Sequence, residues 1–179
     1  QWQSWQETNR QTASVEFEVM DQLLAAGQLD AAMSNFQNLQ DEYTQSPYTS
    51  MAALKMARAR IDVNQPDLAI GLYQYVVDNG YPKALSVVAR ERLARVLLDQ
   101  GRADEALQTL NGADDIRGFE ARFAEVRGDI HLSQGRNEEA VAAYQEALDQ
   151  LEANVGDRSM LLMKLQALGA TLPDDGIES

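Results

Sequence analysis

Few side chains in this chain have the types and spacing that chemistry requires. His131 is the sole histidine and cysteine is absent. Metal sites and nucleophilic triads need convergent partners, and no second ligand or base of its kind stands near His131 in the pattern. It lies three residues after Gly128, a position that faces a neighbouring helix, and reads as a packed structural histidine. Paired carboxylates such as Glu138-Glu139 and Asp114-Asp115 are what composition predicts in a chain with 28 acidic residues, and exposed faces or helix starts explain them. No phosphate-cradling glycine loop, nucleophile motif or zinc spacing occurs. The expectation is no catalytic residue, no metal and no cofactor. What remains is recognition: Arg58 and Arg95 each follow a small residue by one position, and guanidinium groups so placed suit carboxylate-bearing ligands.

The elements that would position those arginines are visible as a repeat. A turn residue is followed five positions later by alanine and four after that by a bulky apolar residue: Gly27, Ala32, Phe36; Asn64, Ala69, Tyr73; Gly101, Ala106, Leu110; Gly135, Ala140, Tyr144. The alanines are 37, 37 and 34 residues apart, the period of stacked helical hairpins. Glycine and asparagine adopt the left-handed conformation that ends a helix at little cost. Three residues on, Asp30, Asp67, Asp104 and Glu138 can cap or face the positive end of the second helix. Met20, Ala57, Ala94 and Gly128 each lie twelve residues before their unit's alanine, where a small residue in the first helix packs against the second.

That spacing resembles the tetratricopeptide repeat, although the early tryptophan is absent, only Gly128 keeps the first-helix glycine, and the closing proline is missing or displaced to Pro47 and Pro82. A generic array of helical hairpins is the alternative. The expected fold is all-α, a right-handed tetratricopeptide-like solenoid of about four hairpins over residues 13–153, with a membrane-proximal helix start over 1–12. A capping helix is expected over 154–170, where Met160, Leu161, Leu162, Met163, Leu165 and Leu168 are too apolar for a free surface helix and Gly169 ends it. A flexible acidic tail is expected over 171–179. The formal charge of −13 opposes binding to nucleic acid and anionic lipid, and 45% hydrophobic content suffices for a continuous core. No apolar run reaches the roughly 18 residues of a membrane span.

The first helices line the inner face of such a stack, and the register puts Phe17, Leu24, Leu54, Ile61, Leu98 and Leu132 there with Arg58 and Arg95 between them. A mixed apolar and guanidinium groove suits an extended or amphipathic peptide carrying some negative charge. In the alternative, the apolar residues pack internally and the arginines pair with Glu91, Glu125 or Asp129. Tetratricopeptide proteins that hold chaperone C-termini clamp a carboxylate with lysine and asparagine. Phe17, Asp21, Leu54 and Arg58 occupy the equivalent places here, so that clamp is not assembled.

Trp2 and Trp5 share one helix side ahead of a polar stretch, a placement typical of the water-membrane interface. Stapling of the first hairpin is the other reading. The chain begins at Gln1, and a membrane anchor is expected upstream. The stretch from Arg92 to Leu110, that from Val126 to Gly135 and the Met160 to Leu168 run resemble the YfgM-type family over nearly the whole chain. The resemblance implies an ancillary subunit of the Sec translocon in the bacterial inner membrane, with a single span and this domain facing the periplasm. It also implies as partners the translocon and a membrane-anchored peptidyl-prolyl isomerase, within a chaperone network on emerging proteins, with unfolded polypeptide as a further ligand. The residues alone imply a helical scaffold that is not an enzyme. A scaffold for another envelope-assembly pathway, or the recruiting module of an enzyme whose catalytic domain is absent, would use the same repeats.

Overall fold

In the computed structural model the backbone is described for residues 2–151 and 155–171, and side chains for residues 10–151 and 158–171. Among the described residues there are nine helices and no strand: α1 (Trp2–Ala25), α2 (Leu29–Glu42), α3 (Pro47–Asp62), α4 (Pro66–Asn79), α5 (Lys83–Asp99), α6 (Ala103–Asn111), α7 (Glu120–Ser133), α8 (Asn137–Gln150) and α9 (Val155–Ala167). The side chains of Trp2 and Trp5 and the expected acidic tail lie outside the described residues.

One hydrogen-bond pattern closes four hairpins. Gly27, Gly101 and Gly135 have φ of 72°, 73° and 72°, and Asn64 takes the same role at 57°. The amide after each donates to the carbonyl five residues earlier: Gln28 to Leu23 (2.9 Å), Gln65 to Arg60 (2.8 Å), Arg102 to Leu97 (2.8 Å) and Arg136 to His131 (2.9 Å). This is the Schellman closure, which satisfies carbonyls that a helix end would otherwise leave without partners. The following helices start with no side-chain cap on Gln28, Gln65, Arg102 or Arg136. Asp30, Asp67, Asp104 and Glu138 sit inside the first turn instead, so they act on the positive end of the helix dipole and do not cap. Gly169 (φ 70°) ends α9 in the same way, with Ala170 donating to Leu165 at 3.1 Å.

The chain divides into two compact units, residues 1–96 and 97–179, with the boundary inside α5. In the first unit α1 packs with α2 and α3 with α4, and α3 also lies against both α1 and α2. Ala32 and Ala69 are fully buried, as are Met20 and Ala57 opposite them. The Thr49 hydroxyl donates to the carbonyls of Tyr43 (2.6 Å) and Leu39 (3.2 Å), tying the start of α3 to the end of α2, while Ser46 caps α3 through the Tyr48 amide.

In the second unit α7 and α8 form the closest hairpin and α9 packs on α8. Leu161 and Leu165 of α9 are buried in a cluster with Ala124, Ala140, Tyr144, Ala147 and Leu148. Gly128 is buried against the Tyr144 ring with no room for a side chain. Met160 and Met163 turn outward from α9, 55% and 65% exposed.

Candidate functional site

In the first unit, Phe17 is half-buried with its ring centroid 5.7 Å from that of Tyr48, and Lys55 Nζ lies 5.6 Å from the same ring. Lys55 is ion-paired to Asp21, joining α3 to α1. Leu24 and Ile61 are half-buried, whereas Leu54 is only 8% exposed and packs inside. Arg58 is exposed and pairs at 3.0 Å with Asp62, one turn along α3. Arg95 pairs with Glu91, whose carboxylate is buried in α5. Each arginine is thus tied to a carboxylate of its own helix, and for Arg95 it is the Glu91 named by the internal-pairing alternative. In the second unit Leu98 is half-buried and Leu132 is exposed near the end of α7.

A charged node recurs, built from the residue after the small first-helix position, a cation of the following helix, and the bulky residue of the second helix. In the last hairpin these are Asp129, Lys164 and Tyr144. Lys164 Nζ donates to Asp129 and Glu125, both at 2.7 Å, and the Tyr144 hydroxyl donates to Asp129 at 2.7 Å. Lys164 Nζ also lies 5.2 Å from the centre of the Tyr144 ring. Burial, then the Asp129 carboxylate that accepts its proton, raise the Tyr144 phenol far above its ordinary range. The first hairpin pairs Asp21, at the Asp129 place, with Lys55, and has Phe36 as the bulky residue; Lys55 stands nine residues before its turn residue Asn64 and Lys164 five before Gly169, so the two lysines share a role and not a repeat position.

The second hairpin departs from both. Arg58 stands where Asp21 and Asp129 stand, Arg92 stands where Lys55 stands, and Tyr73 carries the hydroxyl. Burial raises the Tyr73 phenol, and the Arg92 and Arg58 guanidinium groups pull it back down ahead of the opposing Glu91 and Asp62. Arg92 is exposed and forms no ion pair with a described residue. Sequence reading missed Arg92, although its place two residues before Ala94, matching Lys55 before Ala57, could have revealed it.

His131 packs as a structural residue does, with Nδ1 buried and lacking a hydrogen-bond partner. Desolvation, and then Arg136, push the imidazole below its ordinary value of 6.5. The unfolded chain therefore binds this proton more readily than the folded one, so the contribution present above the unfolded pKa is lost as pH falls through the folded value. Between about pH 7 and 5 wild type should lose thermal stability relative to His131→Gln; parallel melting curves over that range would exclude the coupling. Among the described residues no group of three or more histidines and carboxylates could hold a metal ion, and no helix is long and apolar enough to cross a membrane.

The tetratricopeptide repeat-like domain family matches residues 1–170. The chain belongs to that family. It is 27% identical over 160 residues to a Neisseria gonorrhoeae protein called Ancillary SecYEG translocon subunit, spanning 89% of this chain and 76% of that one. An Escherichia coli K12 protein of the same name is 27% identical over 169 residues, 93% of this chain and 79% of the relative. These two meet the YfgM-type resemblance read from the sequence. Among solved structures, a crystal structure of MamA superposes with TM-score 0.62 at 16% identity, covering 84% of this chain and 85% of its own. A MamA fragment from Desulfovibrio magneticus RS-1 gives 0.61 at 15% identity, over 88% and 93% respectively. At that identity the likeness concerns the all-α fold alone.

Proposed function

We propose that this chain is a non-catalytic interaction scaffold associated with the Sec translocon, and that it holds partner polypeptide on the faces of its first helices. The observation that carries this reading is similarity to proteins called ancillary translocon subunits over about nine-tenths of the chain, combined with a repeat fold. Hairpins locked by repeated closures lose little conformational entropy when a partner docks, which suits a preformed binding surface. A membrane-anchored peptidyl-prolyl isomerase and emerging unfolded chains are the partners this role calls for, with the domain facing the periplasm beside a single membrane span.

The test is co-purification from native membranes of the full-length gene product. Replacing Phe17, Leu24, Ile61, Arg58, Arg95, Leu98 and Leu132 by alanine, with Leu54 left in place because it is buried, should abolish recovery of the translocon or isomerase while circular dichroism still reports full helicity. Unchanged recovery would remove these helix faces from consideration.

A further inference from the structure

We infer that the second hairpin's node, formed by Arg58, Arg92 and the Tyr73 hydroxyl, binds an acidic side chain of a polypeptide lying extended across α3 and α5. This rests on the reading of the first-helix faces as polypeptide-binding surfaces and names the chemistry that one of them selects.

The internal comparison carries the inference. Where the last hairpin closes its node, a lysine meets two carboxylates and a tyrosine hydroxyl is spent on one of them. Where the first hairpin closes its node, a lysine meets an aspartate. In the second hairpin both charged places are guanidinium groups, and no carboxylate stands where Asp21 and Asp129 stand. Two carboxylates act on Tyr73: Glu91, buried and spent on Arg95, and Asp62, an exposed partner one turn away on the same helix as Arg58, and exposed pairs of that kind hold their geometry weakly. A carboxylate arriving from outside would supply what Asp129 supplies to Lys164 and Tyr144. It would accept from the phenol and from two guanidinium groups, whose planar forks match carboxylate geometry.

Charge distribution agrees. Residues 55–95 hold 7 of the 15 basic residues but only 4 of the 28 acidic ones, so this stretch is net positive in a chain of charge −13. Exposed charges beyond about 8–10 Å are screened at physiological salt, so a narrow peptide experiences the local basic patch. A broad anionic surface meets the acidic remainder as well. Exposed Met51 and half-buried Tyr48, Leu85 and Val88 give apolar contacts along the same two helices. A side chain within an extended chain fits this better than a chain terminus. The cations flank a path with apolar contacts along it, and the asparagines that help clamp a terminal carboxylate are absent.

The experiment uses the purified chain and fluorescein-labelled, C-terminally amidated peptides of alternating leucine and glutamate, or leucine and glutamine, read by fluorescence anisotropy. The glutamate peptide should bind, and its glutamine counterpart should bind at least about tenfold more weakly. Arg92→Gln, a change at an exposed residue, should cost about tenfold, and Tyr73→Phe a smaller factor. Arg58→Asp is the decisive variant. It places a carboxylate opposite Arg92, as Asp21 stands opposite Lys55, and should abolish binding while the thermal midpoint holds or rises. Equal binding of both peptides, or unchanged affinity in Arg92→Gln, would overturn the inference. So would a free-acid glutamine peptide binding as tightly as the glutamate one, or phosphatidylglycerol vesicles captured through Arg92 while the peptides are not. Loss of peptide discrimination with translocon co-purification intact defeats this site alone. Failed co-purification with peptide discrimination intact defeats the translocon reading alone.

Discussion

Gly128→Ala should destabilise the protein by about 1–3 kcal/mol, although alanine is the better helix former by about 1 kcal/mol. A Cβ on Gly128 would come within 2.6 Å of Tyr144 Cδ1 and closer still to Cε1. The ring cannot retreat freely: it is fully buried and its hydroxyl is bonded to Asp129 at 2.7 Å. Moving it would open the α7–α8 contact or break the bond that orients the carboxylate holding Lys164. Gly71→Ala is the control, since a Cβ there meets nothing within 4 Å in the middle of α4. It should raise stability by up to about 1 kcal/mol. Urea unfolding of the two variants should therefore shift in opposite directions, and a stabilised Gly128→Ala would show that α7 and α8 do not pack as described.

Leu165→Ala should cost about 2–5 kcal/mol, the range for truncating a fully buried leucine. Leu165 is inaccessible to solvent, and with Leu161 it carries α9 against Tyr144, Ala147 and Leu148. Two effects add: lost transfer free energy and a cavity that helices pinned by their closures fill poorly. Met163→Ala on the same helix removes a side chain that is 65% exposed and should stay within about 0.5 kcal/mol of wild type. Equal effects of the two substitutions in chemical denaturation would mean that α9 is not docked by this face.

The framework was legible because its determinants are local. Gly27, Asn64, Gly101 and Gly135 each demand a left-handed residue whatever surrounds them, and Ala32, Ala69, Ala106 and Ala140 occupy one place relative to those turns, all with no exposed surface. Gly169 as a stop and the apolar run before it announced α9 for the same reason. The charged nodes were harder. Asp129 as partner of Lys164 requires knowing how α9 lies on α7, across residues 152–157 whose spacing sets no register. Arg95 was legible as a first-helix cation, but its neutralisation by Glu91 depends on a rotamer that periodicity does not contain. A register that rotates about 100° per residue reads Leu54 as lining the groove, and its burial shows how little separates lining a face from lying beneath it.

Because the node between successive first helices changes sign along the chain, hairpins here are not interchangeable parts. A unit bearing an acid after its small first-helix residue, as at Asp21 or Asp129, accepts a successor whose facing residue is lysine. One bearing Arg58 sets a cation against any successor that presents Lys55 or Arg92. Duplicating the second hairpin would set Arg58 against the copy's Lys55, cation against cation, whereas the last hairpin would present the uncharged Val126, two residues before Gly128, to whatever preceded it. Shuffling experiments on this array should respect that grammar of charge before hydrophobic fit is considered.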